Sequence, residues 1–153
     1  MCEAAVNAFP HADMAILCAA VADFTPCHTA DKKIKKQPGQ TEMTIELTTT
    51  TDIAATLGKV KAENGKVKAE NGKVKGEKIV VGFALETHDE QANALRKLQS
   101  KNLDMIVLNS LQDQGAGFGV DTNKVTLLYA DGTKKDLPLL LKQEVADVII
   151  DSI

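Results

Sequence analysis

Two short segments near the N-terminus carry the residues best suited to chemistry. The first is AAVADF, residues 19–24, where a run of small residues leads to one carboxylate, Asp23. It follows an apolar run at 14–19 that predicts a buried strand, and small residues at a strand's carboxyl end let a ligand approach the backbone. The second is the lysine cluster KIKK, residues 33–36, which supplies the positive charge that phosphates require. Together they indicate a phosphate-bearing ligand; a loop acid and a solvated lysine edge are the structural alternatives.

Length, composition and charge limit the class of protein. The chain has 153 residues, which suits one domain with a real core. Hydrophobic residues make up 44% and charged residues 25%, as in ordinary soluble globular proteins. The net charge of −3 argues against non-specific nucleic-acid binding, and no aromatic residues are spaced to stack bases. We therefore expect no nucleic-acid partner.

Cysteine usage and hydropathy indicate the compartment. Cys2, Cys18 and Cys27 form an odd number without the spacing of a disulfide scaffold, which predicts a reduced, cytoplasmic protein. Cys18 lies in the apolar run and is predicted to be a core residue. The histidines are scattered, so no metal site is predicted. No stretch approaches the roughly 20 apolar residues of a membrane span, and no signal-peptide pattern is present.

Periodicity and turn signals predict an alternation of strands and helices. Strands are predicted at 14–19, 41–49, 78–83 and 104–109, a hairpin at 124–129 and 135–137, and helices at 3–9, from 51–52 onward, at 89–101 and at 139–153, with a loop at 20–40. In the strand at 41–49, Met43, Ile45 and Leu47 alternate with polar residues. Strands that alternate with helices favour βαβ units and a mainly parallel sheet.

A heptad repeat interrupts this pattern. The unit GKVKAEN at 58–64 recurs at 65–71 and, imperfectly, at 72–78. One valine per unit gives only a thin helical seam, and each Asn-Gly junction favours a turn or a helix end. The tract is therefore predicted to be a tandem duplication on the surface, either a frayed helix extension or a mobile loop. A coil for interaction with a partner is the alternative.

Seven landmarks in order carry a resemblance to a known family. They are AAVADF (19–24), KIKK (33–36), TDIA (51–54), VGFALET (81–87), KLQSKNLD (97–104), IVLN (106–109) and FGVDTNKVTLL (118–128). In this set the chain resembles phosphopantothenate–cysteine ligase, also called phosphopantothenoylcysteine synthetase, which in many bacteria is the C-terminal half of a fusion with a decarboxylase. The resemblance implies a Rossmann-like α/β domain over residues 1–153, with a mainly parallel sheet, an added antiparallel hairpin and a repeat insertion at 58–78.

The family joins 4′-phosphopantothenate to L-cysteine in coenzyme A biosynthesis. CTP or ATP, with Mg²⁺, activates the carboxylate as an acyl-nucleotide, and the cysteine amine then forms the amide. The resemblance therefore implies a cytoplasmic ligase that takes small-molecule substrates and forms a homodimer, with FMN only in a fused decarboxylase domain. The dimer would use an extended segment like residues 41–49 together with the hairpin.

The resemblance also implies site residues. Lys33 would be catalytic, neutralising charge that develops on the reacting groups while its loop excludes water. The implied nucleotide contacts are Leu17, Cys18, Ala19, Asp23, Lys33, Thr51, Asp52, Ile53, Ala54, Phe83, Lys97 and Lys101. For Phe83 the alternative is a plain core residue, and for Lys97 and Lys101 a solvated helix face. Asn109, at a strand end, is a weaker candidate and is not assigned a catalytic role. No metal ligand is assigned.

The chain departs from the family at its N-terminus. The family's domain opens with a strand, a glycine-rich turn, a Ser-Ser-Gly-Lys segment and a catalytic asparagine, whereas this sequence begins after all of them. We therefore expect a fold that is incomplete at its N-terminus and a chain that is inactive alone. A non-catalytic nucleotide-binding module or an assembly partner is the alternative function.

Overall fold

The computed structural model describes residues 1–64, 78–110, 115–116 and 119–153. They form two compact units, one of Met1–Cys18 with Ile53–Ile153 and a smaller one of Ala19–Asp52. The second repeat and the third up to residue 77, with Val67 and Val74, and the landmark residue Phe118 lie outside the described residues.

The two units share the elements unequally. The larger unit holds the helices α1 (Cys2–Ala8), α2 (Ile53–Asn64), α3 (Glu90–Ser100) and α4 (Lys142–Asp151), a 3-10 helix at Phe9–His11, and the strands β1 (Met14–Leu17), β4 (Ile79–Glu86), β5 (Met105–Ser110), β6 (Thr122–Asn123), β7 (Val125–Tyr129), β8 (Lys134–Asp136) and β9 (Leu140–Leu141). The smaller unit holds β2 (Phe24–Pro26) and β3 (Leu47–Thr49).

The main sheet has the strand order β1-β4-β5-β7-β8. The first three strands are parallel, and β7 and β8 continue the sheet as an antiparallel hairpin. The predicted α/β class, with a parallel core and an added hairpin, is confirmed. The two-residue ladder of β6 with β9 was not predicted, since elements this short leave no periodicity in the sequence.

The sheet separates two apolar cores because its central strands are buried on both faces. Val80 and Ala84 of β4 pack in the cluster that includes Leu57 of α2 and Leu98 of α3, whereas Val81 packs in the second cluster, with the α4 residues. In β5 the run from Met105 to Leu108 is buried throughout and alternates between the clusters. Such continuous apolar runs are typical of parallel strands covered on both sides.

The first strand differs from its prediction. It ends at Leu17, not at residue 19, and Cys18 is exposed, so the prediction of Cys18 as a core residue is wrong. Ile16 is also 36% exposed. The reason is its place in the sheet: within the described residues β1 pairs only with β4, so one side of it lacks a strand neighbour.

The smaller unit contains less strand than predicted at 41–49. Only Leu47–Thr49 pairs, with a strand in the segment predicted as a loop, and Pro26 ends that strand. Met43, Ile45 and Leu47 are each more than half exposed. The ladder is no longer than its three-residue partner strand, so residues 41–46 lie outside it.

Other elements shift by a few residues for identifiable reasons. The strand predicted at 78–83 continues to Glu86, because β5 offers hydrogen-bonding partners as far as Ser110. The last helix begins at Lys142, because Leu140 and Leu141 pair with β6. The Glu144 carboxylate then caps it by accepting a hydrogen bond of 2.8 Å from the Leu141 N–H.

The first repeat unit extends α2, so the helix-extension alternative is confirmed for this unit, whereas its prediction as a surface segment is wrong because it packs against the core. Residues 58–64 form the second half of α2, and Val60 packs against the core. The side chain of Lys61 is only 11% exposed and forms a 2.8 Å ion pair with Asp104. Gly58 lies so close to α3 that an added Cβ would stand 1.8 Å from the Lys101 carbonyl oxygen.

A buried lysine joins the N-terminal segment to the sheet. The Lys78 ammonium donates hydrogen bonds to the carbonyl oxygens of Phe9 at 2.9 Å, Pro10 at 3.2 Å and Ala12. It also lies 5.2 Å from the centre of the Phe9 ring. These carbonyls end the first helical segment, where a cation is favoured by the helix dipole.

We predict that Gly58→Ala lowers the free energy of unfolding. Alanine in an exposed helix is favoured over glycine by about 1 kcal/mol, but here overpacking against the Lys101 carbonyl costs about 1–3 kcal/mol. Urea denaturation should give a lower midpoint than for the wild type, while the exposed control Lys59→Ala on the same helix changes little. A midpoint at or above the wild-type value would contradict the close approach of α2 to Lys101.

We also predict that Lys78→Met destabilises the larger unit by about 2–3 kcal/mol, since hydrogen bonds to a charged group contribute about 1.5–3 kcal/mol. The exposed Lys135→Met is the matched control, because it removes the same charge without buried partners. Thermal unfolding followed by circular dichroism should separate the two variants. Equal melting temperatures of the two variants would show that the hydrogen bonds from Lys78 to the three carbonyl oxygens do not stabilise the larger unit.

Candidate functional site

The carboxyl edge of the main sheet contains a step. The last pair between β1 and β4 joins Leu17 to Gly82, and β4 then continues through Glu86 beside β5 alone. Within the described residues of the larger unit, the segment from Phe83 to Glu86 therefore has no strand on its β1 side. Open α/β sheets bind ligands outside the carboxyl ends of their strands, so this step is the candidate site.

An apolar surface lies on one face of the step. Phe83 is 38% exposed and Leu85 is 42% exposed. They share a face because successive side chains of a strand alternate, and Val81 on that face packs in the core beneath α4. The interpretation of Phe83 as a plain core residue is therefore wrong, and its ring is accessible to a ligand.

An ion pair lies on the opposite face. The Lys97 ammonium of α3 is 2.6 Å from a carboxylate oxygen of Glu86, the last residue of β4. The side chain of Glu86 is 12% exposed and that of Lys97 is 41% exposed, so the pair holds a cation at the edge while leaving it open to solvent. Lys101, one turn further along the chain, is the C-cap residue of α3.

The start of α2 points toward the same edge. Lys61, late in α2, is paired with Asp104, whose other carboxylate oxygen accepts the Val80 N–H at 2.7 Å. Asp104 and Val80 lie at the amino ends of β5 and β4, so the C-terminal half of α2 is at that end. Ile53 and Ala54, which begin α2, therefore lie toward the carboxyl ends of the strands. The first turn of a helix favours anions, because the helix dipole places partial positive charge there.

The remaining predicted residues belong to the smaller unit. Ala19, Asp23, Lys33, Thr51 and Asp52 are all exposed. The Asp23 carbonyl oxygen accepts the Thr50 N–H at 2.8 Å, so the ends of this unit are held together by backbone contacts. The structure thus brings Leu17, Cys18, Ile53, Ala54, Phe83 and Lys97 to one edge of the larger unit. The roles assigned to them, to Lys101 and to the residues of the smaller unit stay predictions.

Sequence reasoning missed one polar group at this edge, Glu86, and gave little weight to another, Asn109. Glu86 lies in the VGFALET landmark, and the signal available for it is an acid at a strand end that precedes a helix lysine. Asn109, set aside as weak, has a buried side-chain oxygen without a hydrogen-bond donor in the described structure. Nothing in the sequence distinguishes a paired from an unpaired asparagine.

Metal and membrane features can be stated for the described ranges. They contain no group of three or more His, Cys, Asp or Glu side chains placed to hold a metal ion. Within the same ranges, none of the helices has the length and apolar character needed to cross a membrane.

Comparison with known proteins gives a consistent family. A family model described as the DNA/pantothenate metabolism flavoprotein C-terminal domain matches residues 1–153. The chain is 52% identical over 153 residues to a protein named cysteine/cysteine sulfinic acid decarboxylase from an unknown prokaryotic organism, and covers 38% of it. It is 44% identical over 153 residues to the coenzyme A biosynthesis bifunctional protein CoaBC of Bacillus subtilis strain 168, and covers 34% of it.

Solved structures agree with these relatives. The crystal structure of the C-terminal domain of a coenzyme A biosynthesis bifunctional protein CoaBC has a TM-score of 0.69 and 35% identity, and the match covers 99% of this chain and 60% of that one. The chain thus spans about a third of the curated relatives' length and more than half of the solved domain. Because the family model matches every residue, the chain belongs to the DNA/pantothenate metabolism flavoprotein C-terminal domain family.

Proposed function

We propose that the chain is the nucleotide-binding portion of a phosphopantothenate–cysteine ligase of coenzyme A biosynthesis. The observation that carries the proposal is the step at the carboxyl edge, where an exposed aromatic ring, a solvent-accessible lysine and a helix start lie at one end of a parallel sheet. These are the kinds of groups that a nucleoside triphosphate requires. The names of the CoaBC relatives support the reaction class.

Each group would do a different part of the binding. Phe83 would pack against the flat base, since an exposed ring offers apolar area to a ligand. Lys97 would contribute positive charge to the phosphates, with Glu86 holding its ammonium near the edge until the ligand arrives. The N–H groups of Ile53 and Ala54, the first two residues of α2, would face an anionic oxygen. Lys33 would act on the reacting carboxylate and phosphate as the resemblance implies.

We propose that a Mg²⁺ ion would arrive with the nucleotide. Mg²⁺ bound to nucleotides is typically held by phosphates and one or two carboxylates. When bound, the ion would neutralise part of the triphosphate charge. The chain's own residues would position the base and the remaining charge.

We expect the chain to bind CTP or ATP in the presence of Mg²⁺, and we expect Lys97→Met to weaken binding about tenfold, because a hydrogen bond to a charged group is lost. Glu86→Gln should leave affinity equal or raise it, since it removes a carboxylate that competes with phosphate for the Lys97 ammonium. Isothermal titration calorimetry measures both effects.

The exposed variant Lys135→Met is the control for a general loss of positive charge, and it should bind as the wild type does. Equal affinities of the Lys97→Met and wild-type proteins would remove Lys97 from the site. A wild-type protein that binds neither nucleotide would contradict the proposed function itself.

We further propose that the chain forms a homodimer through the smaller unit. Met43, Ile45 and Leu47 expose 56%, 56% and 55% of their surface, and contiguous exposed apolar patches mark interaction sites. A two-fold dimer would cover the same patch on both copies.

The dimer proposal predicts that Ile45→Lys shifts the protein toward a monomer, because two desolvated charges would face each other across the two-fold axis. Sedimentation velocity at micromolar concentration measures the shift. The control Thr44→Lys adds the same charge at the neighbouring position, on the opposite side of an extended backbone. A wild-type monomer, or a dimer unchanged by Ile45→Lys, would overturn the proposal.

A further inference from the structure

We propose that Asn109 reads the nucleobase: its side-chain amide accepts a hydrogen bond from the amino group of a base held on Phe83. The inference rests on the proposed nucleotide-binding function and adds a specificity-determining residue to it. It begins from the one buried side-chain oxygen in the described ranges that lacks a hydrogen-bond partner, Oδ1 of Asn109.

The residues opposite Asn109 on the neighbouring strands offer this oxygen no side-chain hydrogen-bond donor. Asn109 lies near the carboxyl end of β5, where its register partners are Leu85 on β4 and Val125 on β7. Both are apolar, and Val125 is itself buried. A buried acceptor without a donor costs free energy, and such a group in a folded protein calls for an explanation. A ligand that supplies the donor is one.

The geometry places the amide beside the exposed ring. Met105 and Val107 of β5 pack in the same cluster as Val81 of β4, so Asn109 lies on the face that also carries Phe83 and Leu85. Phe83 pairs with Val107, and Asn109 is therefore one strand across and two residues further along. With strands about 4.8 Å apart and a rise of about 3.3 Å per residue, that diagonal is about 8 Å. A base lying on Phe83 would present its edge toward Asn109.

The chemistry of the amide favours some bases over others. Cytosine and adenine each carry an exocyclic amino donor next to a ring-nitrogen acceptor, and an asparagine amide offers the complementary acceptor and donor. Uracil and guanine carry a carbonyl oxygen at the corresponding position. The Asn109 amide oxygen is buried and lacks a hydrogen-bond donor. A base carbonyl oxygen facing it would bring two acceptors together and would supply no donor. Asn109 should therefore favour CTP and ATP over UTP and GTP.

The test is the ratio of the CTP affinity to the UTP affinity, measured by calorimetry on the full chain with Mg²⁺. The two ligands share their phosphates and ribose, so the ratio reports on the base alone. We expect the wild type to prefer CTP by tenfold or more and Asn109→Leu to reduce the preference to about one. Asn109→Asp keeps an acceptor oxygen in the same shape and should retain a preference for CTP.

Two further measurements separate this inference from its alternatives. Inorganic tripolyphosphate should bind Asn109→Leu as it binds the wild type, and the melting temperature of Asn109→Leu should be equal or higher, because an unpaired buried acceptor is removed. Asn123→Leu is the control, since the Asn123 side-chain oxygen already accepts a hydrogen bond from the Lys124 N–H at 3.0 Å.

An Asn109→Leu protein that keeps the wild-type ratio, or a wild type without a preference for CTP, would overturn the role of Asn109 while leaving the nucleotide site intact. A wild type that binds neither the nucleotides nor tripolyphosphate would overturn the proposed function, and this inference with it. If Asn109→Leu does not fold, the ratio of CTP to UTP affinity in Asn109→Asp tests the proposal. Loss of the CTP preference in this variant, which keeps an acceptor oxygen, would contradict the role of Asn109.

Discussion

Through its side chain and backbone together, Asp104 joins a helix and three strands of the larger unit. One carboxylate oxygen pairs with Lys61 of α2 at 2.8 Å, and the other accepts the Val80 N–H of β4 at 2.7 Å. Its backbone N–H bonds to the Val80 carbonyl, and its own carbonyl accepts the Ala130 N–H after β7. One residue at the amino end of β5 thus fixes the positions of α2, β4, β5 and β7 relative to one another along the strand direction. Because the side chain of Asp104 is about one-third exposed, its constraint is mainly geometric.

Because the amino ends of the strands are held in register, differences in strand length appear at their carboxyl ends. β1, β4 and β5 run in the same direction but have different lengths, so their carboxyl ends form a step and not a level edge. Phe83 and Leu85 lie beyond the last β1–β4 pair and are exposed, and Glu86, the last residue of β4, meets Lys97. The positions of the polar groups in the candidate site therefore follow from strand length and register. The buried run of β5 lies beside them in the sheet.

The sequence predicts the parts of this arrangement that depend on local pattern. The apolar runs of β4 and β5, the hairpin and α3 follow from periodicity and turn residues, and the landmark segments point to the edge where β4 ends. Three features depend on distant parts of the chain and could not be predicted. Cys18 is exposed because β1 lies at an edge of the sheet. β2 pairs with a segment about twenty residues away. The Asn109 oxygen is unpaired because its neighbours on two other strands are apolar.

The anchoring of the repeat tract has a consequence at the level of the gene. Upstream, Gly58 and Lys61 fix the first unit to α3 and Asp104; downstream, Lys78 fixes the chain to the carbonyl oxygens that end the N-terminal helical segment. Slippage during replication adds or removes whole units of a repeated coding sequence. Such an event between these anchors would change the tract while leaving both attachments and the reading frame unaltered. The coding sequence of this tract is therefore a place where the chain can change length by whole units of seven residues between two fixed attachments.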